Sequence, residues 1–452
     1  MKVIVSGCGK IGTAIVESLL KEKHDITVID VDRSVIEFAT TRYDVLGFCG
    51  NGASYDVLME AGADKCDLFI SITASDEINM LSCFVAKKAG AKNTVARIRN
   101  SEYNNKSFGF VKNELGLNVV INPELLTAQA IFNVLDLPSA TSIEAFSSSE
   151  MEMVEIVLKK DAGVLNIPLY ELRKKLKHNF LICLVQRGEE VYIPNGSFVL
   201  QAGDKLGVFA PKASLSNLLK LFGLEHKPIK SVMIVGASKT AYYLSKLLTE
   251  AKTDVKVIEI NKDKCEEFSK NIERVNVICG DGMSQDLLLE EGIMESDAFV
   301  ALTGKDEQNV LMSVYSQSKG VQKTLTKINR DEIVDISKSL GIETVITHKN
   351  SVADVLVRYA RALENSKESK IETLYRLLSG KAEAAEFKVL SDFKRTGVAI
   401  KDLKISPNVL IAGIIRNRET IIPCGEDVIL EGDRVIVITA GRSLVDLSEI
   451  IK

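Results

Sequence analysis

The chain has 452 residues, of which 46% are apolar and 26% are charged, and its formal net charge is −4 at pH 7. This length allows two to four domains, each with its own core, and the composition is typical of globular proteins. The slightly acidic balance supplies no basic surface, so we do not expect nucleic acid as a partner. The apolar runs have the length of strands, well short of the ~20 residues of a membrane-spanning helix. No charged segment precedes a separate apolar one at the amino terminus, so we expect no signal peptide.

The eight cysteines are scattered along the chain, and no two of them form a CxxC pair. This spacing argues against a zinc site and against a disulfide framework, and it fits reduced thiols in a cytoplasmic protein. We therefore predict no metal site.

Residues 1–137 alternate short apolar runs with helical patterns. One predicted helix carries Ile11, Ile15 and Leu19 on a single face, and Pro123 begins a last helix that ends near Leu135. Strand–helix alternation with continuously apolar strands indicates an α/β fold, with a Rossmann-like parallel sheet covered by helices on both faces. The predicted strands are Val3–Ser6, Ile26–Asp30, Val45–Cys49, Leu68–Ser71, Val95–Ile98 and Val119–Ile121.

The segment "VIVSGCGKIG" at the first of these strands has the spacing of a dinucleotide-binding fingerprint. Gly7 permits a tight turn, Gly9 lets the backbone approach a pyrophosphate, and Gly12 lets the helix pack close to the sheet. Unpaired N–H groups at the helix start would receive phosphate oxygens. Asp30 would accept hydrogen bonds from a ribose diol and repel a 2′-phosphate, which favours NAD(H) over NADP(H). ATP and ADP carry the same diol and are not excluded, and a purely structural glycine turn remains the alternative.

Further candidates follow the fourth and fifth predicted strands. Thr73 and Ala74 lie at the carboxyl edge of the sheet, where doubly wound sheets bind ligands. Arg97 could pair phosphate oxygens, with a surface or interface salt bridge as the alternative. Asp76 and Glu77, at the start of the next predicted helix, could simply complement the helix dipole.

Residues 145–224 have a different pattern, in which short strands are separated by proline and glycine turns. A brief helix is predicted at Tyr170–Leu176 and a closing helix at Leu215–Phe222, whose apolar face we expect in the core. We interpret this segment as a small α+β domain.

The chain then repeats itself. "KVIVSGCGKIGTAIVESLLKEKHDITVIDVDR" resembles "SVMIVGASKTAYYLSKLLTEAKTDVKVIEINKD", with Gly7 matched by Gly236 and Asp30 by Glu259. "SITASDEINM" recurs as "ALTGKDEQNV", which favours an architectural role for the polar residues at that helix start. The later segment "IPNGSFVLQAGDKLGVFA" recurs as "IPCGEDVILEGDRVIVIT". Both segment types return in the same order, which indicates a tandem duplication.

The duplication predicts four domains in the chain. Residues 1–137 and 229–364 would form two Rossmann-like domains, and residues 145–224 and 372–452 two small α+β domains. The last of these should end with a second closing helix at Leu444–Ile451.

The second copy departs from the glycine pattern of the first. In "VGASKTA", Ser238 stands where close backbone approach is wanted, and Ala241 replaces the third glycine. Glu259 keeps the carboxylate, whereas Arg97 is matched only by Lys327. Nucleotide binding at this second site therefore stays open, and we expect it to be weaker or different.

The sequence offers candidate residues for a nucleotide site but no clear candidate for a catalytic residue of an oxidoreductase. A dehydrogenase needs an acid or base beside the reacting carbon. None of the four histidines falls at a predicted strand end beside the fingerprint, and we expect at least three of them in solvated loops. We assign no catalytic residue, and we keep a soluble NAD-dependent oxidoreductase as the alternative function.

These motifs carry a family resemblance over nearly the whole chain. "VIVSGCGKIG", "GNGASYDVLMEAGADKCDLFISITASDEINM" and "VARIR" resemble the nucleotide-binding half of RCK (KTN) domains, and "IPNGSFVLQAGDKLGVFA" resembles their carboxyl-terminal half. Two such units in one chain resemble the TrkA family, the peripheral regulatory subunits of Trk potassium uptake systems.

The resemblance implies a cytoplasmic gating ring, expected to be a homotetramer, that docks on the inner face of the membrane. Its partner would be a separate K⁺-translocating subunit of the TrkH or TrkG type, and NAD(H), ATP or ADP would bias the shape of the ring. The family's nucleotide-binding residues would correspond to Gly7, Cys8, Gly9, Lys10, Ile11, Asp30, Thr73, Ala74 and Arg97 in the first copy. In the second copy they would correspond to Gly236, Ala237, Ser238, Lys239, Thr240, Glu259, Thr303 and Gly304.

Overall fold

The computed structural model of the chain divides into two compact units, each made from two separate stretches. Residues 1–131 and 231–360 form the first unit, and residues 132–230 and 361–452 form the second. No helix among the described residues is both long enough and apolar enough to cross a lipid bilayer. The structure describes residues 1–100, 103, 108–146, 150–176, 179–224, 227–342, 344–368, 371–417, 419–442, 444 and 446–451.

The first module is a six-stranded parallel sheet. Its strands are β1 (Lys2–Ser6), β2 (Asp25–Asp30), β3 (Leu46–Cys49), β4 (Leu68–Ser71), β5 (Asn93–Arg97) and β6 (Val119–Ile121), in the order β3-β2-β1-β4-β5-β6. The connecting helices are α1 (Lys10–Lys21), α2 (Arg33–Arg42), α3 (Tyr55–Glu60), α4 (Asp76–Ala89), α5 (Phe108–Glu114) and α6 (Pro123–Asp136). All six predicted strands are confirmed to within two residues. Ile15 and Leu19 of α1 are fully buried, as the amphipathic pattern predicts.

The second module, in the order of the chain, is an antiparallel sheet. Its elements are β7 (Ser142–Ala145), β8 (Met151–Val157), α7 (Leu169–Leu176), β9 (Leu181–Arg187), β10 (Glu190–Tyr192), β11 (Lys205–Pro211) and α8 (Lys212–Leu221). The strands lie in the order β10-β9-β11-β8-β7. The brief helix and the closing helix are thus confirmed, and Leu215, Leu218 and Leu219 of α8 are buried in the core.

The third module repeats the parallel sheet of the first. Its strands are β12 (Ser231–Val235), β13 (Asp254–Glu259), β14 (Val275–Cys279), β15 (Ala298–Ala301), β16 (Lys323–Lys327) and β17 (Val345–Ile346), in the order β14-β13-β12-β15-β16-β17. Its helices are α9 (Lys239–Glu250), α10 (Lys262–Asn271), α11 (Gln285–Glu290), α12 (Asp306–Ser318), α13 (Asp331–Ser339) and α14 (His348–Glu368). Both parallel sheets therefore reverse strand order beside their first strand, where doubly wound sheets bind ligands.

The fourth module repeats the antiparallel sheet of the second. Its strands are β18 (Ile371–Leu377), β19 (Ala382–Lys388), β20 (Val409–Arg416), β21 (Glu419–Ile421) and β22 (Arg434–Ala440), in the order β18-β19-β22-β20-β21. The expected closing helix at Leu444–Ile451 is wrong. Among the residues described in this stretch, the one helical element is the 3₁₀ turn Leu447–Ile450. Ile451 pairs with Ile405 in a β-bridge, so the chain becomes extended before a longer helix can form.

The two antiparallel modules share one apolar core. Phe146 and Phe209 from the earlier sheet belong to the same buried cluster as Tyr375 and Ile436 from the later one. The rings of Phe146 and Tyr375 lie 4.5 Å apart between centroids. Each small sheet therefore buries one of its faces against its own duplicate.

Each antiparallel sheet also contains a buried aspartate that an arginine binds through two hydrogen bonds. Asp204 is 1% exposed and accepts hydrogen bonds from Nε and Nη2 of Arg187 at 2.8 and 2.7 Å. Asp433 is bound by Arg416 with the same two distances. The aspartate of each repeated Gly-Asp sequence thus forms an equivalent bidentate ion pair with an arginine. Each ion pair joins the end of one strand to the turn before another strand.

Removing either carboxylate should destabilise the antiparallel unit. We expect Asp204→Ala and Asp433→Ala each to lower the free energy of unfolding by about 2–4 kcal/mol, because each leaves a partly buried arginine without its counter-ion. Urea titrations followed by circular dichroism would measure the change. The matched control is Glu37→Ala, whose pair with Arg33 is exposed on both sides, and it should cost about 0.5 kcal/mol or less. Equal effects of all three variants would contradict this account.

Candidate functional site

The glycine-rich turn after β1 is shaped by close backbone contacts. Gly7 has φ +96°, and a Cβ placed on it would lie 2.8 Å from the amide nitrogen of Thr73. A Cβ on Gly12 would lie 2.0 Å from the carbonyl oxygen of Gly7. Gly9 differs, because a Cβ there would meet nothing within 4 Å. Two of the fingerprint glycines are therefore needed for packing, and the third lies beside open space.

The start of α1 offers unpaired donors to that space. Gly9 is the N-cap of α1, and no side chain caps the helix. The N–H groups of Gly9, Lys10 and Ile11 make no hydrogen bond to any described residue. A helix start with free N–H groups and a positive dipole end is a site for an anion.

Cys8 does not line the opening. Its side chain is 4% exposed, and burial, with the negative charge of Asp30, raises the pKa of its thiol to about 12. Its contribution is made by its backbone N–H, which donates to Oδ2 of Asp30 at 2.7 Å. Oδ1 of Asp30 accepts the N–H of Asp32 at 3.0 Å. The carboxylate thus holds the glycine turn, and each of its oxygens keeps acceptor capacity for a ligand hydroxyl.

Arg97 lies on the opposite wall, at the end of β5. Burial and the positive charge of Arg99 lower the pKa of its guanidinium. Its Nε is buried and has no hydrogen-bond partner in the described part of the chain. The alternative role for Arg97, a salt bridge, would require a carboxylate partner, and none of those residues provides one. A half-buried guanidinium whose Nε is buried and unsatisfied, at the same edge of the sheet as free N–H groups, is suited to an anionic ligand.

Asn79 joins the two loops of this wall, and it is fully buried. Its amide oxygen accepts the N–H and the hydroxyl of Thr73 at 2.8 and 2.7 Å, and its amide nitrogen donates to the carbonyl of Arg97 at 2.9 Å. Asp76 likewise accepts the N–H groups of Arg99 and Asn100. The simple helix-dipole explanation fits exposed Glu77, but Asp76 and Asn79 position loops.

These elements enclose a cavity of about 800 Å³ at the carboxyl edge of the first sheet. This is within the size range of small-molecule sites. The sequence-predicted residues that line it are Gly7, Gly9, Lys10, Ile11, Gly12, Asp30, Thr73, Ala74 and Arg97.

Several residues that line this cavity were not assigned to the site from the sequence, among them Gly52 and Asn329. Gly52 lines it, and a Cβ there would lie 2.0 Å from the Ser6 hydroxyl oxygen. The repeat of "GNG" as "GDG" was a signal for this glycine. Asn329 lines the cavity from the third module, and its carboxamide also donates to Asp306 at 3.0 Å. No local pattern indicates Asn329, because it lies far away in the sequence.

The described residues contain no group of three or more metal-ligating side chains. His24, expected in a solvated loop, is instead buried, in the loop between α1 and β2 and outside the cavity lining. His178 and His226 lie outside the described residues, and the side chain of His348 is not described.

The corresponding turn of the third module is similar in outline but differs at the phosphate position. Gly236 has φ +102°, and the N–H of Ala237 donates to Glu259 at 2.8 Å, as Cys8 does to Asp30. The N–H of Ser238, however, bonds internally to the carbonyl of Gly236 at 2.9 Å. Its hydroxyl caps α9 by accepting the N–H of Ala241. The backbone N–H that is free at Gly9 is thus already hydrogen-bonded at the corresponding residue, Ser238.

The remaining second-copy candidates flank this turn. Thr303 is bound by Asn309 in the same way as Thr73 is by Asn79. Thr240 is buried, Lys239 is exposed, and Gly304 borders open space. Lys327, in the position of Arg97, is buried, which lowers the pKa of its ammonium group.

Comparison with known proteins identifies the family. The TrkA-N domain model matches residues 3–123 and 232–348, and the TrkA-C domain model matches residues 153–223 and 385–452. The chain belongs to the TrkA family. The duplicated parallel and antiparallel modules are therefore the two domain types of this family, each present twice.

Individual relatives agree over the full length. The chain is 30% identical to the Trk system potassium uptake protein TrkA homolog of Archaeoglobus fulgidus, covering 100% of both chains. It is 29% identical to the Trk system potassium uptake protein TrkA of Vibrio alginolyticus, covering 98% of this chain and 97% of the relative. A structure of the GsuK channel bound to NAD has a TM-score of 0.63 at 17% identity and covers 97% of this chain and 77% of that one. The last likeness concerns the fold.

Gly12→Ala tests whether the turn is as tight as the contacts indicate. We expect it to lower the free energy of unfolding by about 1–3 kcal/mol, because the new methyl group would overlap the carbonyl oxygen of Gly7. Thermal or urea unfolding would measure the change. Gly9→Ser is the matched control, since it places a side chain in open space and gives α1 the cap that Ser238 gives α9. Its effect should stay below about 0.5 kcal/mol. A neutral Gly12→Ala would contradict the packing role.

Proposed function

We propose that this chain is the nucleotide-sensing regulatory subunit of a potassium uptake system, and that it controls a separate membrane-embedded subunit that translocates K⁺. The observation that carries the proposal is the cavity of the first module, which is lined both by the start of α1 with its free N–H groups and by half-buried Arg97, whose Nε has no described partner. Membership of the TrkA family and the potassium-uptake names of the relatives supply the physiological setting.

The proposed ligand is NAD(H), with ATP or ADP at the same site. A phosphate group would lie between the start of α1 and Arg97, and the ribose diol would meet Asp30. The carboxylate disfavours a 2′-phosphate but accepts any free adenosine diol. The proposed first-site residues are Gly7, Cys8, Gly9, Lys10, Ile11, Gly12, Asp30, Thr73, Ala74 and Arg97, with Cys8 acting through its backbone.

The third module would bind a nucleotide more weakly or in another pose. Glu259 is placed like Asp30, but the N–H of Ser238 is already hydrogen-bonded and Lys327 offers one ammonium group where Arg97 offers a fork. The proposed residues there are Gly236, Ala237, Ser238, Lys239, Thr240, Glu259, Thr303 and Gly304.

We further propose that the chain assembles as a homotetrameric ring and works on the cytoplasmic face of the membrane, held there by a partner of the TrkH or TrkG type. A ligand can shift such a ring only if it binds two ring states with different affinity. The coupling required is roughly 1–3 kcal/mol, the usual range for allosteric proteins.

A regulatory role is favoured over the alternative of an NAD-dependent oxidoreductase. Among the described residues that line the first cavity there is no histidine, tyrosine, cysteine or glutamate. The titratable groups that do line it are Lys10, Asp30, Asp32 and Arg97, of which Asp30 already holds the glycine turn and Asp32 caps α2. An oxidoreductase would show substrate-dependent absorbance change at 340 nm with NADH, and a regulator would not.

Asp30→Asn should weaken nucleotide binding at the first site. We expect a loss of about 10-fold to 100-fold in affinity for NADH and for ATP, since charge-assisted hydrogen bonds to a carboxylate contribute roughly 1.5–3 kcal/mol. Isothermal titration of the full chain would measure it. Glu37→Gln removes the same charge from an exposed position on α2 and should leave the affinity unchanged. Unchanged binding by Asp30→Asn would refute the assignment of the ribose position.

Flux through the membrane complex tests the regulatory step itself. The chain is co-expressed with its pore subunit, and K⁺ flux is measured in vesicles with NAD, NADH, ATP or ADP on the cytoplasmic side. We expect at least one nucleotide to change the flux of the wild-type complex and to change it less with Asp30→Asn. If binding is lost in the variant but the flux response is unchanged, gating through the first site is wrong.

A further inference from the structure

Two cysteines lie together beside the second-copy carboxylate. Cys279 is the last residue of β14 and is the register partner of Glu259 at the end of β13. Cys265 lies in the first turns of α10, and its thiol donates to the carbonyl oxygen of Glu259 at 3.2 Å. Both cysteines therefore lie beside the backbone of Glu259, at the corner where β13 turns into α10.

The two thiols differ in their access to solvent. Cys279 is exposed, whereas Cys265 is 7% exposed. Burial, reinforced by the neighbouring Cys279 and Glu259, raises the pKa of the Cys265 thiol to about 11. An accessible thiol next to a sheltered one is the usual arrangement of a peroxide-reacting cysteine and its resolving partner.

The first copy lacks this pair. Cys49 ends β3 as Cys279 ends β14, and it is exposed too. Four residues after the cap of α2, however, stands Ile36, where α10 has Cys265 after the same interval from its cap. The thiol of Cys49 contacts the carbonyl oxygen of Val31 at 3.6 Å instead. The chain thus contains a natural control for a single exposed cysteine in the same structural position.

We propose that Cys265 and Cys279 form a reversible dithiol–disulfide site that is oxidised by hydroperoxides. The thiolate of Cys279 attacks the peroxide, which gives a sulfenic acid and releases water after protonation. The sulfur of Cys265 then attacks the sulfenic sulfur and expels hydroxide, which takes up the proton of Cys265 to leave as water. Two thiols and one hydrogen peroxide give one disulfide and two waters, and a dithiol reductant reverses the step.

The bond would act on the backbone that holds Glu259. It would join the end of β14 to the first turns of α10, on either side of the strand end that carries this carboxylate. Glu259 accepts the N–H groups of Ala237 and Asn261, so the glycine turn and the cap of α10 depend on the same corner. Resting on the proposed function, we expect oxidation to change nucleotide affinity in the third module and to leave the first module unaffected.

Thiol chemistry tests the site independently of any nucleotide. The full chain is treated with hydrogen peroxide, alkylated under denaturing conditions and digested. We expect each chain to lose two alkylatable thiols. Before alkylation, the oxidised chain should be about 2 Da lighter than the reduced chain. The digest should contain one cross-linked peptide with both Cys265 and Cys279. Dithiothreitol should restore both thiols.

Three variants separate the outcomes. Cys279→Ser and Cys265→Ile, which introduces the first-copy residue, should each abolish the intrachain cross-link, and Cys49→Ser should leave it intact. Oxidation of Cys279 that stops at sulfinic acid, or cross-links only between chains, would overturn the proposal. Nucleotide titration of oxidised and reduced Asp30→Asn then reports on the third module. A cross-link that forms without changing affinity would refute the regulatory consequence and leave the redox site standing.

Discussion

The close approach of Gly7 to the end of β4 is the contact on which the candidate site depends. The left-handed backbone at Gly7 lets the chain turn against Ile72 and Thr73 without a side chain between them. This approach brings the start of α1 and the β4 loop to the same edge of the sheet. Asn79 then ties the β4 loop to Arg97. The shape of the cavity therefore depends on one backbone conformation and one buried amide.

The duplication preserves the frame of this site and changes its chemistry. Asn309 and Glu259 repeat the contacts of Asn79 and Asp30 nearly bond for bond. Ser238 differs from Gly9 by only a few atoms. Its N–H group, however, is already hydrogen-bonded, so it is not free to face a phosphate. The two parallel modules thereby keep equivalent folds while their glycine turns offer different hydrogen-bond donors.

The antiparallel modules depend on each other more directly. Each sheet is too small to bury both of its faces, and their common cluster around Phe146 and Tyr375 solves this for both. The ion pairs of Asp204 with Arg187 and of Asp433 with Arg416 hold one turn of each sheet in place. The shared core therefore explains why these two modules lie in one compact unit.

Much of the fold could be predicted from the sequence, because its determinants are local. Strand–helix alternation and the glycine spacing specify the parallel sheets, and the repeat specifies that there are two. The prediction of a closing helix at Leu444–Ile451 was wrong. The spacing of apolar residues in that segment cannot show that Ile451 pairs with Ile405, 46 residues earlier in the chain (451 − 405 = 46).

The sequence by itself thus determined the module types and their order, and it predicted the glycine turn at Gly7 and the carboxylate at Asp30. Only the tertiary structure decided that Cys8 contacts Asp30 through its backbone, that Asn329 lines the first cavity, and that Cys265 and Cys279 both lie beside Glu259. The physical reason is the same in each case. Periodicity and spacing record what a residue does within its own strand or helix, whereas these contacts join residues from separate elements, which only packing brings together.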